Sequence, residues 1–514
     1  MNEAAPAMIA VVLGDQLDLD SPVLQACSAV VMVEAAEESR RIHSHKARTA
    51  LFFSAMRHFA QSLRERGYAV HYRHLEQGHE GSLVDQIMSM VDQLPKAGLR
   101  MLEPGDWSIE QAIKKACQAQ NRPVEFVEDP HALCSRKDFA RFAQKRSQLR
   151  MEYFYREMRQ RHRILMHANG EPLGGQWNFD VENRKSFGVG GPKAVVASLR
   201  FAPDTTTKAV MAALESHLPE LPGSCEAFDW PVNRSQALQA LAHFVDQLLP
   251  QFGPFQDAMW SGEPFLWHSL LASAINLRLL HPMEVIKAAC SAYEHNPERY
   301  PLATVEGFVR QILGWRAFMQ GLYWLNMPAM SRANYFGHQA PLPSWFWSGH
   351  CQMNCLKQTL LQTFDHAYAH HIQRLMVVGN FALLAGLEPK AVADWFHAVY
   401  VDAIDWVHLP NVMVMALHAM GPGISSKPYI ASGQYIARMS NYCKQCAYRP
   451  ALREGDRACP FTVFYWDFLK RNQALLEKNP RMFHAIRQLK VMDTATLSKN
   501  AQQAQRYRDT IDSL

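Results

Sequence analysis

The sequence predicts an α/β N-terminal domain built on a doubly wound parallel sheet, followed by an all-helical C-terminal domain. Three observations predict it. Five short apolar runs alternate with helical stretches between Met8 and about Asp129, and long amphipathic stretches without alternating strands fill the chain from about residue 225. Between them lies a segment rich in glycine, proline and charge. Strand, helix, strand in repeated order implies a parallel sheet with helices on both faces.

The predicted strands are MIAVVL, AVVMVEA, YAVHYRHL, LRMLEP and PVEFVED, with helices over TALFFSAMRHFAQSLRERG and SIEQAIKKACQAQN. Ligands of such sheets sit beyond the carboxyl ends of the strands, and the first strand ends in Gly14, Asp15, Gln16 and Leu17. The chain has neither a G-x-G-x-x-G nor a Walker A sequence, which disfavours a dinucleotide or nucleoside triphosphate there. Residues 1–134 are expected to form the first domain, 135–224 a connector and 225–514 the helical domain. The connector carries one basic, aromatic-rich helix, RFAQKRSQLRMEYFYREMRQRHRILM, then loops through GEPLGGQWNFDVENRKSFGVGGPK. Helices are predicted over SLLASAINLRLL, TVEGFVRQILGWRAFMQGLYW, AHHIQRLMVVGNFALLAG and TVFYWDFLKRNQALLEKN.

A chain of 514 residues exceeds what one core serves, and its 48% apolar and 20% charged residues are ordinary for a globular protein rather than a disordered one. No long uncharged apolar run is present, so no membrane span is expected. The start, MNEAAPAMIAVVLGDQL, reads as a first strand rather than a signal peptide, and a cytoplasmic location follows. Ten dispersed cysteines do not make a disulfide scaffold and are read as reduced thiols. A net charge of +5 is only mildly basic, so a polyanion must be met by a local patch.

The sharpest motif is Cys443, Cys446 and Cys459 in NYCKQCAYRPALREGDRACPF, a C-x2-C-x12-C-P arrangement. Two thiolates across a tight turn and a third after a loop make most of a coordination shell. Cys355 in QMNCL is the best fourth donor, with Cys351 a near alternative, and the four thiolates admit either zinc or a cubane iron-sulfur cluster. A second constellation is His370, His371 and Arg374 in YAHHIQRLM, where a proton donor and a fixed cation three apart share a helical face. A buried Arg374 needs an acid, and Asp402 is a plausible partner. Tryptophans crowd the helical half; most are expected in the core, with a subset able to conduct electrons.

Together these residues resemble the prokaryotic (6-4) photolyases, also called iron-sulfur bacterial cryptochromes and photolyases. The resemblance spans LGDQL at 13–17 to CPFTVFYWDFL at 459–469 and includes EAAEESRRIHSHKAR, GGQWNFDVENRK, ATVEGFVRQILGWR, YAHHIQRLM and KPYIASGQYI. It implies light-dependent repair of (6-4) photoproducts in UV-damaged DNA by a monomer, with FAD in the helical domain, a 4Fe-4S cluster within about 350–465, and 6,7-dimethyl-8-ribityllumazine as antenna near Asp15, Gln16 and Glu37. By position it makes Cys355, Cys443, Cys446 and Cys459 the cluster ligands, and His371, with His370 and Tyr429, the catalytic group at the lesion. It places His268, Ser269, Leu271, Asn276, Gln311, Arg316, Arg374, Asp402 and His408 around the flavin, and Trp395 and Trp347 on an electron path.

An extruded base lies in a pocket whose surroundings grip phosphates, for which Arg156, Arg159, Arg161 and Lys185 are candidates. The chain departs from the family pattern at Leu375, where animal-type enzymes carry a second histidine, at His408, where an acid often faces flavin N5, and at Phe396, where relatives can carry tyrosine. The competing readings are a blue-light photoreceptor of the same fold with little or no repair, and a nucleic-acid-binding protein with structural zinc.

Overall fold

The computed structural model describes residues 8–78, 80–144 and 146–514. Five strands, β1 (Met8–Val11), β2 (Cys27–Val33), β3 (Val70–Arg73), β4 (Gly98–Leu102) and β5 (Val124–Val127), form one parallel sheet in the order β3-β2-β1-β4-β5. All five correspond to the apolar runs read from the sequence. Side chains alternate across the sheet as the strand period requires. Ile9, Val11, Val31, Val33, Leu99 and Met101 pack with helices Leu83–Val91 and Trp107–Ala119. Ala10, Val12, Val30 and Met32 face the other way, in the same core as helix Lys46–Glu65. The strand order reverses at β1, which has β2 on one side and β4 on the other, so a crevice opens at the carboxyl end of β1.

After β5 the described residues contain helices and isolated bridges and no further strand. TVEGFVRQILGWRAFMQGLYW lies on one continuous helix from Leu302 to Asn326, whose middle, Arg310–Arg316, widens into π-helical turns. Two further π-helical stretches, Gln373–Gly379 and Asn411–Ala416, border the same cavity. A π-turn shifts the helical register and re-aims side chains, here toward that cavity. Gly379 makes the closeness of the last two stretches possible, since a Cβ there would meet Ala416 Cβ at 2.8 Å.

Two predicted helices differ. The basic stretch is divided between helices Arg136–Ala143 and Met151–His162, and before the second the Leu149 amide donates to Gly423 O at 3.4 Å rather than to a helical carbonyl. SLLASAINLRLL is helical only over Ala272–Asn276, between Leu270 at φ 55° and Arg278 at φ 63°. That irregularity serves the junction with the sheet. Leu17 N–H donates to Leu277 O at 3.0 Å, and buried Arg278 reaches Asp129 at 2.6 Å and Asp15 at 3.6 Å. Helix Lys46–Glu65 is held at the same junction by His45, which is fully buried. Its Nδ1 accepts from Ala47 N–H at 3.1 Å, so Nε2 carries the proton and donates to Phe364 O at 2.9 Å.

Burial lowers the pKa of His45 to about 4 from 6.5. The unfolded chain therefore binds more protons than the folded one between these values, and the contribution of His45 to stability is lost as pH falls through that window. The slope from one such ring is up to about 1.4 kcal/mol per pH unit. Buried acids such as Asp257 act in the opposite sense, so the informative comparison is with His45→Gln, which keeps an acceptor and a donor without a titrating ring. Urea unfolding between pH 4.5 and 7 should show a shallower rise of stability with pH in His45→Gln than in the wild type; parallel curves would refute the assignment.

Candidate active site

The three π-helical stretches, with the segments 268–276 and 426–439, enclose a cavity of about 910 Å³. His268, Ser269, Asn276, Gln311, Arg316, His370, His371, Arg374, Asp402, His408 and Tyr429 all line it. Leu271 does not; its side chain is in the core, at 1% exposure.

Two cations define the interior. Arg374 pairs with Asp402 at 2.8 Å, donates to Ala369 O at 2.6 Å and lies 3.8 Å over the ring of Tyr400. Arg316 donates to Asn276 Oδ1, whose Nδ2 donates to Asp402 O at 2.6 Å, and the guanidinium lies 4.5 Å over Trp406. Among the described residues Arg316 has no carboxylate partner, and desolvation lowers its pKa to about 9. A cation facing a cavity without its own acid is suited to an anionic group of a ligand.

The histidines are held neutral. His371 is open to the cavity and no hydrogen bond to its ring occurs among the described residues; desolvation, with Arg374 and His268, lowers its pKa to about 4. His370 is buried with both ring nitrogens unpartnered, and its ring stacks on His268 at 4.3 Å. Each nitrogen of His268 faces a carbonyl, Phe265 or Gln256, at 3.1 Å, so the neutral ring serves only one. His408 donates from Nδ1 to Ile404 O at 3.1 Å and stacks on His397 at 4.2 Å, with burial lowering its pKa to about 3. His397, Asp405 and His408 could geometrically hold an ion, but Arg48 lies 3.4 Å from His397 Nε2 and opposes a dication there.

Trp395 is buried and donates to Phe346 O at 3.0 Å; its ring is 5.9 Å from Tyr400 and 5.5 Å from Phe396, both of which line the cavity. Trp347 is 40% exposed, so the pair places one indole inside and one at the surface. At the crevice beyond β1 a second cavity, of about 140 Å³, is lined by Asp15, Glu38, Arg41, Arg48 and Asp106 among others. Gln16 instead turns inward to the carbonyls of Leu102 and Glu103, and Glu37 is not part of the lining.

Burial, followed by the neighbouring Cys459, Cys443, Cys446 and Cys351, pushes the Cys355 thiol up, so the four predicted ligands lie together with the alternative donor Cys351. Burial pushes Cys443 up to about 12 and Cys459 to about 11, so bare thiols here would be protonated and inert. Among the described residues no three cysteine sulfurs lie within 4.8 Å of one another. Four thiolates suit either zinc or an iron-sulfur centre. Gly433 leaves room beside this group, since a Cβ would stand 2.7 Å from Cys459 Sγ.

Residues 10–230 match the family model described as deoxyribodipyrimidine photo-lyase-related protein. A (6-4) photolyase of Agrobacterium fabrum is 44% identical over 487 residues, covering 93% of this chain and 94% of that one. The chain belongs to the (6-4) photolyase family. An uncharacterized protein of Acanthamoeba polyphaga mimivirus is 39% identical over 97 residues, 19% of this chain and 72% of its own. The crystal structure of a bacterial class III photolyase from Agrobacterium tumefaciens aligns over 99% of both chains with a TM-score of 0.52 at 15% identity, which establishes the shared photolyase fold.

For this photolyase-family chain one expectation is corrected. Arg159 cannot grip phosphate: it is fully buried and spends its guanidinium on the carbonyls of Ile164, Leu165 and Trp177. Arg156 pairs with Glu152 and Arg161 with Asp138, while Lys185 is exposed. The cations that do line the cavity include Arg184, Lys427, Arg438 and Arg481; Arg184 and Lys427 stand in GGQWNFDVENRK and KPYIASGQYI, whereas Arg438 and Arg481 stand in no quoted motif. Asp257 was also missed; burial raises its pKa to about 6, and only its place in the fold reveals it. No helix among the described residues is long and apolar enough to cross a membrane.

Removing Asp402 would leave Arg374 without its acid inside the cavity wall. Asp402→Asn is expected to cost about 2 kcal/mol in urea unfolding, below the roughly 3–5 kcal/mol usual for a broken, fully buried pair because the cavity admits water; an unchanged midpoint would mean that the pair is fully screened.

Proposed function

We propose that this chain repairs (6-4) photoproducts in UV-damaged DNA using light, with FAD in the large cavity, a 4Fe-4S cluster on Cys355, Cys443, Cys446 and Cys459, and a lumazine antenna in the smaller cavity beyond β1. What carries the reading is the convergence of His371, Arg374 and Tyr429 on one cavity in a chain 44% identical, nearly end to end, to a (6-4) photolyase. When bound, the reduced flavin supplies a photoexcited electron to the lesion and recovers it at the end of the cycle.

The remaining steps fall to the protein. Arg374 lines the cavity beside Asp402, where its charge favours an electron-rich ring, and Arg316, without a carboxylate partner among the described residues, is placed to meet the phosphate part of the cofactor. Lys427, Arg438 and Arg481 supply positive charge for phosphates without reading sequence. A damaged, poorly paired base is the cheaper one to extrude from the duplex. His371 then presents an imidazole to it. Held neutral in the ligand-free cavity, the ring gains basicity as negative charge arrives beside it, which allows it to hold and return a proton during the rearrangement. Tyr429 provides a hydroxyl on the same wall, kept protonated by burial.

The test is illumination of the reduced protein with an oligonucleotide carrying one (6-4) photoproduct. Thymines should be restored, and His371→Ala should lower the repair yield by about 100-fold or more, the usual weight of a positioned proton-transfer group. Bound flavin with no restored thymine would reject repair in favour of light sensing.

A further inference from the structure

One buried side chain joins the cysteine centre to the His370–His371 turn. Gln373 is 1% exposed and fills all of its hydrogen-bonding capacity. Its Oε1 accepts from the His370 backbone N–H at 3.0 Å and from Gln362 Nε2 at 3.1 Å; its Nε2 donates to Gln362 Oε1 at 3.0 Å and to the Tyr442 hydroxyl at 3.1 Å. Tyr442 is also buried, at 1% exposure, and directly precedes Cys443. Its carbonyl accepts from Asn354 Nδ2 at 2.8 Å, and Asn354 directly precedes Cys355.

The residue before each of two cysteines is therefore tied to the other, and one of them is tied through Gln373 to the backbone of the turn that carries His371. Neither Gln373 nor Tyr442 lines the cavity. No water can replace a lost partner so far inside, so each bond in the series holds the next in place. His370 needs this support: its ring makes no hydrogen bond, and the helix that ends at His366 breaks at Ala367, which is in the left-handed region at φ 51°.

We propose that Gln373 and Tyr442 are positioning residues that couple the four-cysteine centre to the placement of the His370–His371 turn. This rests on the reading that His371 acts on the ligand of the cavity. The coupling runs in both directions, because a free energy shared by two sites is reciprocal. A change at the turn must loosen the metal centre, and a change at the centre must loosen the turn.

The experiment is amide hydrogen exchange on iron-loaded wild type, Tyr442→Phe, Gln373→Met and the double variant, with iron content and repair kinetics measured on the same samples. Tyr442→Phe removes one hydroxyl and should leave iron content unchanged while exchange across residues 368–372 rises about fivefold, the weight of one hydrogen bond. Its repair kcat should fall with the lesion KM unchanged. Gln373→Met should weaken iron retention against a chelator by a similar factor, and the double variant should be no worse than Gln373→Met alone, as for groups in one series. Wild-type exchange over 368–372 in Tyr442→Phe, or effects that multiply in the double variant, would overturn the relay. A wild type that binds flavin and iron and shows the exchange coupling but repairs nothing would overturn the functional reading and leave the relay standing.

Discussion

The arrangement depends on a guanidinium kept charged inside a large cavity by one carboxylate. Arg374 lies on the π-helical stretch Gln373–Gly379 and Asp402 in the turn between helices Pro389–Val399 and Asp405–Pro410, and their 2.8 Å contact fixes the spacing of both. Asp402 offers its backbone carbonyl to Asn276 as well, and Asn276 holds Arg316, so one residue organises both cations. A charge in such a place is costly unless paired, and a cation without an acid beside it makes a cavity selective for electron-rich ligands. Burial holds His370 and His371 neutral, and the field of Arg374 adds to it.

Around that pair the helices depart from regular geometry where they meet the cavity. Arg316 and Arg374 both lie on π-helical stretches, and Arg278, at φ 63°, ends the short helix that carries Asn276 and reaches back to the sheet. Local irregularity of this kind costs stability and persists where the surrounding packing over-determines it. The cysteine segments add a second fixed point, tied to the turn of His371 through Tyr442 and Gln373.

Much of the fold was legible because its periods are simple. Five apolar runs gave five strands, and the absence of alternation from about residue 225 matched a helical remainder. The cysteine spacing and the His371–Arg374 pair were visible as local patterns. What escaped was everything set by long-range contact. SLLASAINLRLL has a helical period, yet the pull of Arg278 on Asp129 and Asp15 breaks it. The basic stretch RFAQKRSQLRMEYFYREMRQRHRILM suggests phosphate contact, yet Arg159 is consumed by three carbonyls. Asp257 and Arg438 matter through their place on the cavity wall, and Gln373 through Tyr442, 69 residues away, which no local window contains.

The central claim is that the cavity holds a flavin made electron-rich by Arg374. The direct measurement is flavin stoichiometry together with its reduction midpoint potential in the wild type and in Arg374→Met. The account predicts one flavin per chain and a more negative midpoint once the cation is gone, because the reduced anionic form loses its partner. A colourless wild type, or a potential that does not move in the variant, would contradict it.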